Sequence, residues 1–196
     1  MTSVNIILSV VFSTCLLSAQ GEKPTIQLVN GEHVLSLPDP MRSILQSYDS
    51  TFVIWRQSEY LPTLVKDYAF FEFQSPSAVI GDFNGDGILD VALQGHDKTT
   101  DLLLCVLSRG AGYEVQEIQK GPTLTDSKSE WYGMGDHKEY GQWVYLTFQP
   151  KGKVNSPFEN QTLDLKTDAF EVEYFEKASV LYYWENGKFN SFTTGD

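Results

Sequence analysis

Apolar and polar residues alternate loosely from Thr25 to Leu37, and Asn30-Gly31 falls between Ile26-Gln27-Leu28-Val29 and His33-Val34-Leu35 as a two-residue turn signal. An opening hairpin is expected. The period then changes: Pro38-Asp39-Pro40 marks a helix start, with Asp39 placed to cap and Pro40 suited to the first turn. Met41, Ile44, Leu45 and Tyr48 recur at the spacing of one short amphipathic helix whose apolar stripe packs on a sheet. Thr51 to Trp55 is β-branched and aromatic and reads as a strand. Leu61 to Phe73 is apolar with a mixed period and reads as a helical turn started by Pro62, then an approach strand.

From Ala78 the pattern sharpens. Val79-Ile80 and Leu89-Asp90-Val91-Ala92-Leu93 flank an acidic, glycine-containing loop, and Gln94 to Thr100 is polar enough to be a connecting loop. Leu102 to Ser108 reads as a buried strand, Arg109-Gly110-Ala111-Gly112 as a turn and Tyr113 to Ile118 as an alternating partner strand, which together make a β-meander. Gly121 to His137 has no clean period and reads as a long loop carrying Trp131, Tyr132 and Met134, of a length unusual in a compact domain unless it has a task. Strands are expected again at Trp143 to Gln149, Phe170 to Phe175, Ser179 to Trp184 and Lys188 to Phe192, the last two joined by Asn186-Gly187. The segment from Val180 to Phe189 mimics the strand, glycine turn and aromatic of Leu104 to Tyr113, which leaves a degenerate second unit open.

Charge places the chain in a compartment. Met1 to Gln20 carries no charged side chain, and its apolar run ends in Leu17-Ser18-Ala19-Gln20, the form of a secretory signal peptide. A membrane anchor needs about 20 apolar residues, and Asn5, Ser9, Ser13 and Thr14 dilute the run. Lipidation at Cys15 is the minor alternative, because Phe12-Ser13-Thr14 is a poor lipobox and the run continues through Leu16 and Leu17. Residues 21–196 then form one β-rich domain, secreted or periplasmic and monomeric. The formal charge of −12 belongs entirely to that part and argues against nucleic acid or an anionic membrane as partner, while a cation suits it. Cys105 would be its single cysteine, so no internal disulfide can form, and its apolar neighbours make it a small core residue.

The sharpest chemistry lies in Gly81-Asp82-Phe83-Asn84-Gly85-Asp86-Gly87-Ile88-Leu89-Asp90. Oxygen-bearing side chains at alternate places around a glycine bend suit a hard cation such as Ca²⁺. An EF-hand would put a bidentate glutamate at the twelfth place counted from Asp82, and that residue is Leu93. The set closes instead at Asp90. With its flanking strands this loop resembles the FG-GAP/VCBS repeats of integrin-α-like β-propellers, and the resemblance spans Ala78 to Ile118, including Val106-Leu107-Ser108-Arg109-Gly110-Ala111-Gly112-Tyr113. It implies Ca²⁺ held by Asp82, Asn84, Asp86, the Ile88 carbonyl and Asp90. A single copy in about 176 residues cannot build the several blades of a ring. The fold class expected is therefore mainly β, with an antiparallel meander and hairpins resembling one or two propeller-type units, one short N-terminal helix, and no complete propeller.

Other chemistry is thin. His33, His96 and His137 have no zinc spacing, although His96 with Asp97 could line a site near the cation. Glu171 and Glu173 share a strand face as two glycosidase carboxylates might, but a solvated strand face beside Phe170, Val172 and Tyr174 is the commoner arrangement, and no catalytic residue is assigned. Asn160-Gln161-Thr162 is a glycosylation sequon. The abundant aromatics suit a glycan or protein ligand where they are not core. The expected function is a secreted calcium-binding β-domain serving as a binding, adhesion-type or structural module. The alternative is an extracellular hydrolase of a polymer, with Ca²⁺ structural and the loop from Gly121 to His137 framing a cleft.

Overall fold

The computed structural model describes residues 22–122, 130–132, 138–156 and 161–195. The expected leader, Cys15, His137 and Asn160 lie outside them. The chain opens with the hairpin β1 (Thr25–Val29) and β2 (Glu32–Ser36), whose turn residues Asn30 and Gly31 sit at φ 53° and 87°. Helix α1 (Asp39–Tyr48) follows, then β3 (Val53–Ile54), a 3-10 turn at Gln57–Glu59 and α2 (Pro62–Asp67). A first group of strands is β4 (Gln74–Ser75), β5 (Ala78–Gly81), β6 (Asp90–His96), β7 (Thr100–Arg109) and β8 (Gly112–Pro122). Short strands β9 (Glu130–Tyr132) and β10 (Lys138–Tyr140) pair with each other. The rest is β11 (Val144–Gln149), the hairpin β12 (Gly152–Ser156) and β13 (Gln161–Leu165), and then β14 (Ala169–Tyr174), β15 (Ser179–Glu185) and β16 (Lys188–Gly195).

These strands build an antiparallel sheet ordered β4-β5-β6-β7-β8, with β3 also on β6, and a second ordered β11-β14-β15-β16. The fold is mainly β, and among the described residues neither sheet closes into a barrel. The four strands β5 to β8 and the four strands β11, β14, β15 and β16 share one up-and-down order. Where the first group has its acidic loop, the second has the β12–β13 hairpin.

Alternation along the strands explains the layering. Ala78, Ile80, Val91, Leu93, Leu104 and Val106 point to one face of the first sheet and pack against Met41 and Leu45 of α1 and Ile26 and Leu37 at the opening hairpin. Val79, Ala92, Leu103, Cys105 and Leu107 point the other way, onto Leu146, Phe170 and Val172 of the second sheet. The first sheet is thus the middle layer, which is why β7 is unbroken apolar from Leu102 to Leu107. Cys105 is buried in it, as its neighbours imply, and burial holds its thiol well above the usual range. The second sheet docks along the edge of the first through Leu146 N–H to Pro76 O at 2.9 Å and Phe148 N–H to Gln74 Oε1 at 2.8 Å.

Several expectations need correction. Pro38, and not Asp39, occupies the cap position; Asp39 lies inside the first turn and pairs with Arg42 at 2.8 Å. Gln94 to Thr100 is largely strand, and only Asp97–Thr99 turns, closed by Thr99 and Thr100 N–H donating to Asp97 Oδ1. The long loop from Gly121 to His137 is shortened at its start by β8 and interrupted by β9, and its remainder lies outside the described residues. The β12–β13 hairpin was not foreseen.

Candidate metal-binding loop

The acidic loop begins where β5 leaves the sheet and ends where β6 returns. Asp82 folds the chain over itself: its Oδ1 accepts from Gly85 N–H at 2.8 Å and its Oδ2 from Gly87 N–H at 3.0 Å. Asn84 Oδ1 accepts from Asp86 N–H at 3.0 Å, and Asp86 Oδ1 from Ile88 N–H at 2.9 Å. The bonds of Asn84 and Asp86, each to the N–H two residues on, are Asx turns, which Asp and Asn favour for this reason. Gly85 and Gly87 sit at φ 79° and 83°, and a Cβ on Gly85 would lie 2.8 Å from Thr167 Cγ2, so a larger residue there meets both strain and a wall.

Asp90 is different in kind. It is fully buried, its Oδ2 accepts from Phe83 N–H at 2.9 Å and Asn84 N–H at 3.3 Å, and its Oδ1 from Ser108 N–H at 2.7 Å. The Ser108 hydroxyl lies 2.9 Å from Asp90 Oδ1 and 2.8 Å from Asp86 Oδ2, so its one proton serves either carboxylate in turn. Burial pushes the Asp90 carboxyl up to about 6, while the hydrogen bonds from Ser108, Asn84 and Phe83 pull it down. Asn84 Nδ2 donates to Ser108 O at 2.8 Å. The loop is therefore tied to the end of β7 as well as to its own strands.

It is also tied to the second sheet. Asp168, just before β14, places Oδ2 3.2 Å from Asp82 N. Phe83, fully buried within the loop, meets Phe170 edge-on with ring centroids 5.3 Å apart and Phe189 at 6.5 Å. Sequence reasoning missed Ser108 and Asp168. Ser108 was visible only as the end of an apolar strand, and Asp168 lies in a stretch with no periodic signal.

All five expected ligands belong to this one loop, and every donor is a hard oxygen, the chemistry that Ca²⁺ takes. The side-chain oxygens of Asp82 and Asn84, and Asp86 Oδ1, accept one bond each from the loop and retain a second lone pair, and Asp86 Oδ2 accepts from the Ser108 hydroxyl alone, whereas the oxygens of Asp90 are filled when that hydroxyl turns to it. Among the described residues no three His, Cys, Asp or Glu side chains already converge on one point; the carboxylates of Asp82, Asp86 and Asp90 accept instead from backbone N–H groups and from the Ser108 hydroxyl. Compared with family models, curated proteins and solved structures, the chain gives no match.

The remaining candidates lie elsewhere. His96 ends β6, at the far end of the strand from the loop, and its ring lies on Trp55 with centroids 4.2 Å apart, so it does not line the acidic loop. His33 stacks on Phe70 at 4.0 Å. Glu171 and Glu173 are half-buried on the outer face of the second sheet, bonded to the hydroxyls of Thr194 and Thr147. Burial, then the charge of Glu173, raises Glu171 to about 7. A carboxyl raised on folding costs nothing where it is protonated in both states, below about pH 4.5, and destabilises increasingly as pH rises through 7. Glu171→Gln is expected to be the more stable protein above pH 7, by about 1–2 kcal/mol after allowance for solvent screening, and to lose that advantage below pH 4.5. Urea midpoints of the two proteins at pH 4 and pH 8 check the sign. Among the described residues no helix is long and apolar enough to cross a membrane.

Proposed function

We propose that this chain is a secreted module whose fold is fastened by Ca²⁺ at the Asp82–Asp90 loop and whose task is to bind an extracellular protein or glycan. The observation that carries the reading is the position of the loop: β5, β6, the end of β7 and the start of β14 meet there through Asp90, Ser108 and Asp168. An ion at such a junction stabilises several elements together. Asp82, Asn84, Asp86 and the Ile88 carbonyl supply the open donors, and Asp90 enters the shell by giving up the Ser108 hydroxyl to Asp86. Three carboxylates without a terminal bidentate glutamate set the affinity near millimolar, the range of extracellular modules. The uncharged apolar leader supports secretion.

Thermal unfolding in excess Ca²⁺ and in chelator is the test. At about a hundredfold excess over the dissociation constant, the ion should add about 2.7 kcal/mol, and Asp86→Ala should abolish the difference. Equal melting temperatures in the two conditions defeat the reading. The hydrolase alternative draws on Glu171, raised beside a second carboxylate as in acid–base pairs. Cleavage of a bound polymer, lost in Glu171→Gln, would move the assignment there.

A further inference from the structure

At the end of β6 remote from the acidic loop the two sheets part, leaving a pocket of about 200 Å³. Strand register builds it. Gln94 of β6 pairs with Leu103 of β7, which pairs with Gln119 of β8, so the three side chains share the face turned to the second sheet. The register slips between Leu103 and Leu104, and the extra residue, Ile118, packs into the inter-sheet core and leaves Gln119 at the pocket mouth. Across from them stand Val144 of β11 and Tyr174 of β14.

The polar groups are held in place from behind. Gln142 Oε1 accepts from Trp143 N–H at 2.9 Å, and its own backbone is clamped between Glu59 O and Leu61 N. Gln94, only 7% exposed, accepts the Tyr60 hydroxyl at 3.2 Å. Gln119 Nε2 donates to the Tyr174 hydroxyl at 3.3 Å. Trp55, also 7% exposed, forms part of the wall, and its buried indole N–H has no acceptor among the described residues. An orphaned donor of this kind costs about 1–3 kcal/mol unless something supplies an oxygen to it.

We propose that this pocket binds one neutral sugar ring, presented as the end or side unit of an extracellular glycan. Three carboxamides can each meet a hydroxyl as donor or acceptor, while the rings of Trp55 and Tyr174 and the side chains of Leu103 and Val144 suit the C–H face of a pyranose. Among the described residues no lysine or arginine lines the pocket, so an anionic ligand meets no counter-charge from them. The volume is below the about 300–1,000 Å³ of sites for drug-sized ligands, which limits it to a single ring. The inference rests on the binding role proposed above but not on the ion.

The test is a titration of the ¹⁵N-labelled protein with glucose, galactose, mannose and N-acetylglucosamine, following the indole N–H signals, with that of Trp55 assigned by Trp55→Phe. At least one sugar should shift the Trp55 signal saturably in the millimolar range and leave that of Trp184 in place. Gln119→Ala should weaken the effect about tenfold, and Gln119→Trp, which plugs the mouth from an exposed position, should abolish it without lowering the melting temperature. If no sugar moves the signal at tens of millimolar, or if only choline or benzyl alcohol does, the sugar site is rejected. Unchanged binding to Gln119→Trp rejects its location. Calcium-dependent melting is measured on the same samples, so failure of the ion and failure of the sugar are read separately.

Discussion

Asp90→Ala should cost about 3–4 kcal/mol of unfolding free energy, a large fraction of a stability that in ordinary domains is only about 5–15 kcal/mol. The reason is the number of donors gathered on one buried carboxylate. Phe83, Asn84 and Ser108 each direct a backbone N–H at it, and alanine leaves these buried donors without their acceptor. Asp90→Asn should recover about half of the loss, because the amide oxygen still accepts while its NH₂ opposes a donor. Urea denaturation gives the free energies. Amide exchange at Phe83 and Ser108 shows where the damage lies, with protection falling in Asp90→Ala more than at residues of β15. A change below about 0.5 kcal/mol, the ordinary size of a surface substitution, would mean that Asp90 is not the anchor described here.

Phe83→Ala should be comparably severe, about 3–5 kcal/mol. The ring is fully buried, and its edge-on contacts with Phe170 and Phe189 join the loop to the second sheet. Removing it takes away apolar burial, leaves a cavity that the surrounding β-structure closes only in part, and frees the loop from the sheet opposite. Phe83→Leu should cost less, about 1–1.5 kcal/mol, since most of the volume stays. A second readout separates anchoring from mere packing: stabilisation by Ca²⁺ should shrink in Phe83→Ala, whereas Phe170→Ala should lower stability and leave most of the ion's effect. Equal ion-dependent stabilisation in both variants would show that the loop holds its shape without the aromatic contact.

Much of this was legible where the signal is local. Asn30-Gly31 and Asn186-Gly187 specify tight turns through backbone conformations that few residues adopt, and both hairpins form there. The spacing of Asp82, Asn84, Asp86 and Asp90 is likewise contained in one short segment, so the loop could be located before any partner was known. What could not be read depends on distant partners. Gln94 and His96 look like loop residues, yet they finish β6 because Gln94 meets Tyr60 and His96 lies on Trp55. In the β12–β13 hairpin only Val154, Leu163 and Leu165 carry the apolar face, packed over Ala169 and Leu181, too few to outweigh the polar residues between them. Asp168 reaches Asp82 from the opposite sheet, and no spacing announces that contact.

The middle layer also governs how the chain can be made. Its helix-facing side is covered by residues that precede it, so that half of the core can close early. Its other side waits for Phe170 and Phe189, the latter on the last strand, and until they arrive a broad apolar surface stands open to water and to other copies. Long-range closure of this sort is slow and leaves intermediates prone to association. A ligand at the Asp82 loop, where Phe83 already points toward the absent partners, would shorten that exposed interval, and so would act on the yield of folded protein as much as on its final stability.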